Sequence, residues 1–209
     1  MTFVPTPDRR YRSVRRLTPP AVEPVSLAEA KSHLRVDTAD DDAYIGTLIK
    51  AAREWVEEYL DRSLVYTQWQ VKADQWPVEF ELPRPPVATA GTHTAVTLTY
   101  ESIDGTTKTV PSSEYRVDRD SVPGVIRNVY NGTWPSDALF DANSITLTFW
   151  AGYGADATNV PQAVKHACLF LIAHWYETRM PVLGTGAVPQ QTPLTVRSLL
   201  DSVQWGLYR

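Results

Sequence analysis

The chain has 209 residues, 43% hydrophobic and 21% charged, the proportions of a sequence that can bury a core. Twenty Lys and Arg against 24 Asp and Glu give a net charge of −4, which argues against a general nucleic-acid binder. The lone cysteine, Cys168, excludes a disulfide framework, a Cys-rich zinc site and a dithiol relay. No apolar run approaches the roughly 18 residues of a membrane span, and no apolar segment of a secretory signal is visible near the start.

In chain order, residues 1–24 come first, as a basic arm rich in Pro and Arg. Residues 1–20 hold Arg9, Arg10, Arg12, Arg15 and Arg16 against Asp8 alone, a net of +4, which leaves −8 for the rest. Pro5, Pro7, Pro19 and Pro20 keep this arm out of a helix or a central strand, so it reads as extended, either disordered or laid on a partner. The arginines are the candidate contacts to a partner or to DNA.

Ser26 and Glu29 have the spacing of a capping box, so a short helix is expected from there to about Val36. Asp37, Asp40, Asp41 and Asp42 form an acidic turn that can cap a second helix over 42–60. Ile45, Leu48, Ile49, Ala52, Val56, Tyr59 and Leu60 give that helix a broad apolar stripe, and Arg53 and Glu57 are expected to pair on its wet side. Past Leu64 the period falls to two. Strands are expected over 65–76, 79–82, 95–101, 106–110, 115–118, 124–128 and 144–150, with Asp104-Gly105 as a hairpin turn. Pro161 then opens a helix to about Thr178. Residues 181–193 read as a linker and 194–208 as a last amphipathic stretch.

This order predicts an α+β fold: a small helical bundle (25–62 and 159–180) with an inserted antiparallel β-sheet or barrel-like block (63–158), then a linker and C-terminal helix or tail (181–209).

Catalytic signals are weak. Gly152-Tyr153-Gly154 covers half of a dinucleotide fingerprint, but the following helix starts too late for its amides to face a pyrophosphate, so a turn is expected. His166, His174 and Glu177 on one helix supply too few ligands for a metal. The Asp37–Asp42 turn lacks the ligand alternation, Gly and closing Glu of a calcium loop. Asn131-Gly132-Thr133 reads as a turn and Cys168 as a core residue. No catalytic residue, cofactor or metal is expected. Of the seven Trp, Trp55, Trp69, Trp150 and Trp175 fit core faces. Trp76, Trp134 and Trp205 sit beside turns or in the tail, where satellite packing and partner docking both remain open. Trp205, Leu207 and Tyr208, with Arg209, are the sharpest candidates for docking.

Four segments together carry a family resemblance. They are V-S-L-A-E-A-K-S-H-L-R-V-D at 25–37 with the helix after it, E-L-P-R-P-P-V at 81–87, F-W-A-G-Y-G at 149–154 with the helix ending H-W-Y-E at 174–177, and the helical stretch 194–200. In order and spacing the chain resembles the head–tail connector (adaptor) proteins of tailed phages and gene transfer agents. The resemblance implies a non-enzymatic homo-oligomeric ring, commonly of twelve subunits, at the head–tail interface of a virion or phage-like particle. Such a ring binds the portal protein, offers a surface to stopper or tail proteins, and passes double-stranded DNA non-specifically through its lumen, with no membrane partner. Beside that resemblance, the tail residues Trp205, Leu207, Tyr208 and Arg209 or the basic arm are expected to reach the portal and become ordered on binding. Another head-completion protein (stopper or terminator) and, further off, a small nucleotide- or metal-binding enzyme domain are the alternatives.

Overall fold

The computed structural model describes residues 11–178 and 194–204. Arg9, Arg10, the linker at 181–193 and the tail residues Trp205, Leu207, Tyr208 and Arg209 lie outside them. The chain divides into two compact units: one from 20–65 and 153–209, the other from 1–19 and 66–152.

The first unit is helical, with α1 (Leu27–Leu34), α2 (Asp42–Leu60), α3 (Gln162–Glu177) and α4 (Leu194–Asp201). The capping box forms as the spacing predicts. Ser26 Oγ accepts from the Glu29 amide at 3.2 Å, and Glu29 Oε2 accepts from the Ser26 amide at 2.8 Å. Pro161 sits one position ahead of the first residue of α3, as its N-cap. The α2 stripe (Ile45, Leu48, Ile49, Ala52, Val56, Leu60) meets Val164, Ala167, Cys168, Leu171 and Ile172 of α3 and Val196 and Leu200 of α4 in one buried cluster. Each large side chain so buried contributes about 1.5–3 kcal/mol.

Two expectations on α2 are corrected. Asp41 is the N-cap residue but makes no side-chain capping bond; its carboxylate accepts from Tyr176 of α3 instead. Arg53 and Glu57 do pair at i,i+4, at 2.7 Å, but they are buried, only 4% and 7% exposed. Glu23 adds a second carboxylate to Arg53 at 2.8 Å. Glu57 Oε1 also accepts from the buried amide of Leu64 at 3.1 Å, tying the end of α2 to the chain leaving it.

Lys165 of α3 donates to Glu29 Oε1 at 2.7 Å. This ammonium first, then the Ser26 amide, holds the Glu29 carboxyl down at about 2 against an ordinary 4.5. A depressed folded value means that the bond stabilises above pH 4.5 and is lost as pH falls through about 2. Because Glu29 is nearly half exposed, solvent limits the effect to a few tenths of a kcal/mol up to about 1. Glu29→Gln keeps the cap's geometry without the charge, so it should melt below wild type near neutral pH and at the same temperature near pH 2. A gap independent of pH would show that the charge is not the cause.

Among the described residues, the second unit holds eight strands in two antiparallel sheets. The strands are β1 (Ser13–Thr18), β2 (Thr67–Ala73), β3 (Phe80–Leu82), β4 (Thr97–Glu101), β5 (Thr107–Thr109), β6 (Tyr115–Asp118), β7 (Gly124–Asn128) and β8 (Ile145–Ala151). One sheet runs β1-β2-β8-β4-β5 and the other β3-β7-β6. The block is therefore two open sheets and not a closed barrel. Alternation along β8 buries Ile145, Leu147, Phe149 and Ala151 and turns Thr146, Thr148 and Trp150 outward. Phe80, Leu82, Tyr115 and Ile126 of the small sheet join the same core. Trp150 is thus a face residue, stacked edge-on against His93, whereas Trp76 and Trp134 stack on each other against the core.

The basic arm is a strand over 13–18. β1 pairs with β2 from Ser13↔Lys72 onward, with an irregularity between Arg16 and Thr18. It is an edge strand, and nearly all of it is exposed. Pro19-Pro20 ends it where a central strand would have continued.

Candidate functional site

Structure places most residues that carried a hint of chemistry in turns, caps and packing. Gly152 adopts a φ of 140°, open to glycine, and its amide bonds Pro86 O at 2.8 Å. A Cβ on Gly154 would lie 2.3 Å from the Asn159 side chain. That amide oxygen accepts from Asp156 N at 3.2 Å, so the Asn159 side chain occupies the space beside Gly154. His166 stacks on Phe170, which also meets His33 edge-on. Among the described residues, no group of three or more His, Cys, Asp or Glu could hold a metal ion. In the acidic turn, Asp41 is bonded by Tyr176 and Asp42 by Lys31 at 2.6 Å, while Asp37 and Asp40 are exposed. Asn131 (φ 58°) and the bond from Gly132 N to Val129 O form a turn. Burial pushes the Cys168 thiol up to about 12, so it stays protonated within the helical core.

The segment 82–87 is a packing device. Arg84 (φ 61°) lays its guanidinium 5.6 Å from the Trp69 ring. Val87 bridges to Ala151, and Ala88 N bonds Trp150 O at 2.9 Å, so the proline run follows the end of β8.

What remains are surfaces. Arg12, one residue ahead of β1, bonds Asp74, and Arg15 of β1 donates to Gln70 at 2.8 Å; both are exposed. Arg16 stands on the same strand, opposite Trp69. Arginines, an irregular register and a Pro-Pro end blunt this edge against pairing with another strand. The outer face of the small sheet carries Arg116 and Arg127 beside an open hollow of about 600 Å³. Val78 and Tyr130, 93% and 94% exposed, lie near the ends of β3 and β7. Sequence reading did not single out these four residues. The available signal was two arginines on adjacent strands, but only the register shows that they face each other.

The described residues thus define a helical unit and a two-sheet unit whose distinguishing features are surfaces. Residues 24–106 match the family model described as phage gp6-like head–tail connector protein. The resemblance read from segments 25–37 and 81–87 holds over that span.

Solved structures extend the likeness in fold. One chain from the neck of an empty gene transfer agent (GTA) particle, computed with C6 symmetry, aligns with a TM-score of 0.71 at 24% identity, covering 91% of this chain and 94% of that one. A chain from the virion of a native GTA particle gives 0.69 at 21%, covering 90% and 93%. A chain from the neck of a native GTA particle, computed with C12 symmetry, gives 0.64 at 23%, covering 90% and 93%. No curated protein matches.

Proposed function

We propose that this protein is a structural head–tail connector (adaptor) subunit. It forms a ring below the portal at the capsid vertex, extends the DNA channel, and joins the head to stopper or tail proteins. One observation carries this reading: the connector family match over 24–106 lies inside a fold shared over 90% or more of the chain with GTA neck and virion chains. The C6 and C12 symmetries under which two of those necks were computed support a ring. Charge supports a conduit. With −8 outside residues 1–20, the body holds few sites that would grip a phosphate backbone in transit. In this reading the work is assembly and not catalysis. The tail residues Trp205, Leu207, Tyr208 and Arg209 dock the portal, and the arginines Arg9, Arg10, Arg12, Arg15 and Arg16 contact a partner or DNA.

Particles made without this chain should show heads without tails in electron micrographs. Supplying the full chain should restore tails and a ring at the neck, and a chain ending at Gln204 should not. Tailed particles in its absence would overturn the connector reading. Full rescue by the truncated chain would overturn only the role of the tail.

A further inference from the structure

The outer face of the small sheet carries a row of charge that ends without a partner. Antiparallel register sets Arg116 of β6 directly opposite Arg127 of β7. Arg127 Nε donates to Glu79 Oε2 at 2.7 Å, just ahead of β3. Arg116 is exposed, and no ion pair reaches it among the described residues. Like charges directly opposite destabilise a strand pair. A carboxylate placed between them would complete an alternating row of Glu, Arg, anion and Arg.

The adjoining hollow is already partly committed. Arg119 in its wall is fixed on the carbonyls of Ala88 (3.1 Å) and Thr94 (2.8 Å). Asp118 is held by the amides of Asp120 and Ser121 and the Ser121 hydroxyl. Asn128, also in the wall, has a buried Oδ1 without a partner. Tyr130, two residues past β7, adds an exposed aromatic, and Tyr and Arg are the residues enriched at protein interfaces. Glu79, Asp118 and Asp120 make the face mixed in sign, which suits a protein carboxylate better than a continuous polyanion.

This chain offers such a carboxylate. Four of residues 37–42 are Asp, and Asp37 and Asp40 are exposed with no hydrogen bond or ion pair among the described residues. A ring repeats one heterologous contact, which needs two unlike, complementary patches on each subunit. We propose that the Arg116/Arg127 face receives the Asp37/Asp40 turn of a second copy of this chain. The proposal rests on the ring reading above.

The test uses the full chain in particles, with Arg116→Glu alone and together with Asp37→Arg and Asp40→Arg. Arg116→Glu sets a carboxylate opposite Arg127, so its melting temperature should not fall. It should nonetheless lower the fraction of particles bearing a neck ring by about tenfold. The added reversals should restore that fraction. Rings at the wild-type level with Arg116→Glu would overturn the proposal, as would failure of the reversals to rescue. Rings that form normally but pass or retain DNA poorly would also overturn it and assign the face to DNA. If the wild-type chain never appears at the neck, the connector reading falls as well, which separates the two failures.

Discussion

Replacing Arg53 with Met is expected to destabilise the helical unit by about 3–5 kcal/mol, the usual cost of leaving one member of a buried ion pair behind. Arg53 is 4% exposed and serves Glu57 at 2.7 Å and Glu23 at 2.8 Å. Burial works against its charge, but the two carboxylates outweigh it, and the Arg53 pKa lies above its ordinary value. Methionine fills much of the same volume, so packing loss is small and the cost is that of the cation shared by Glu57 and Glu23. The double variant Arg53→Met, Glu57→Leu removes both charges and should be more stable than Arg53→Met alone. It will not regain wild type, because the Leu64 amide then loses its buried acceptor, at about 1–3 kcal/mol. Urea unfolding of the three proteins decides this. A loss below about 1 kcal/mol in the single variant would mean that Glu57 reaches solvent without rearranging the core.

This network also marks where sequence reasoning stops. Spacing alone pairs Arg53 with Glu57, but it cannot say what covers them. The segment leading to α1 does: Glu23 reaches Arg53, and Val25 is 1% exposed in the helical core. Helix ends were legible wherever they depend on local chemistry, as with Ser26 and Glu29. The strands of 115–118 and 124–128 were legible to the residue because closely spaced turn signals bound them on both sides. β1 was not, since arginines and prolines describe a good edge and a loose arm equally well. The surfaces were least legible. Arg116 and Arg127 lie eleven positions apart, and only the pairing of β6 with β7 brings them together. A chain that works through its surfaces leaves few motifs, because its recognition groups are spread over elements that meet only in the fold.

Truncating Phe149 to Ala should remove about 3–5 kcal/mol from the two-sheet unit, a large part of the 5–15 kcal/mol that holds most domains together. Phe149 is 0% exposed and stands opposite Trp69 in the register of β2 and β8. β8 lies in the middle of its sheet, bonded to β2 on one side and β4 on the other, so a cavity there loosens both neighbours. Phe80 and Ile126 of the small sheet belong to the same cluster, so their packing suffers too. Thr148, the next residue back, points outward from the same strand and is only half-buried. Thr148→Ala should cost no more than about 0.5 kcal/mol. The contrast between adjacent positions tests the register itself, because a slip of one residue would exchange the two faces and reverse the order of the two losses. Guanidinium unfolding of both variants gives that order directly. If Thr148→Ala proves the costlier, the alternation on which the two-sheet core rests is wrong.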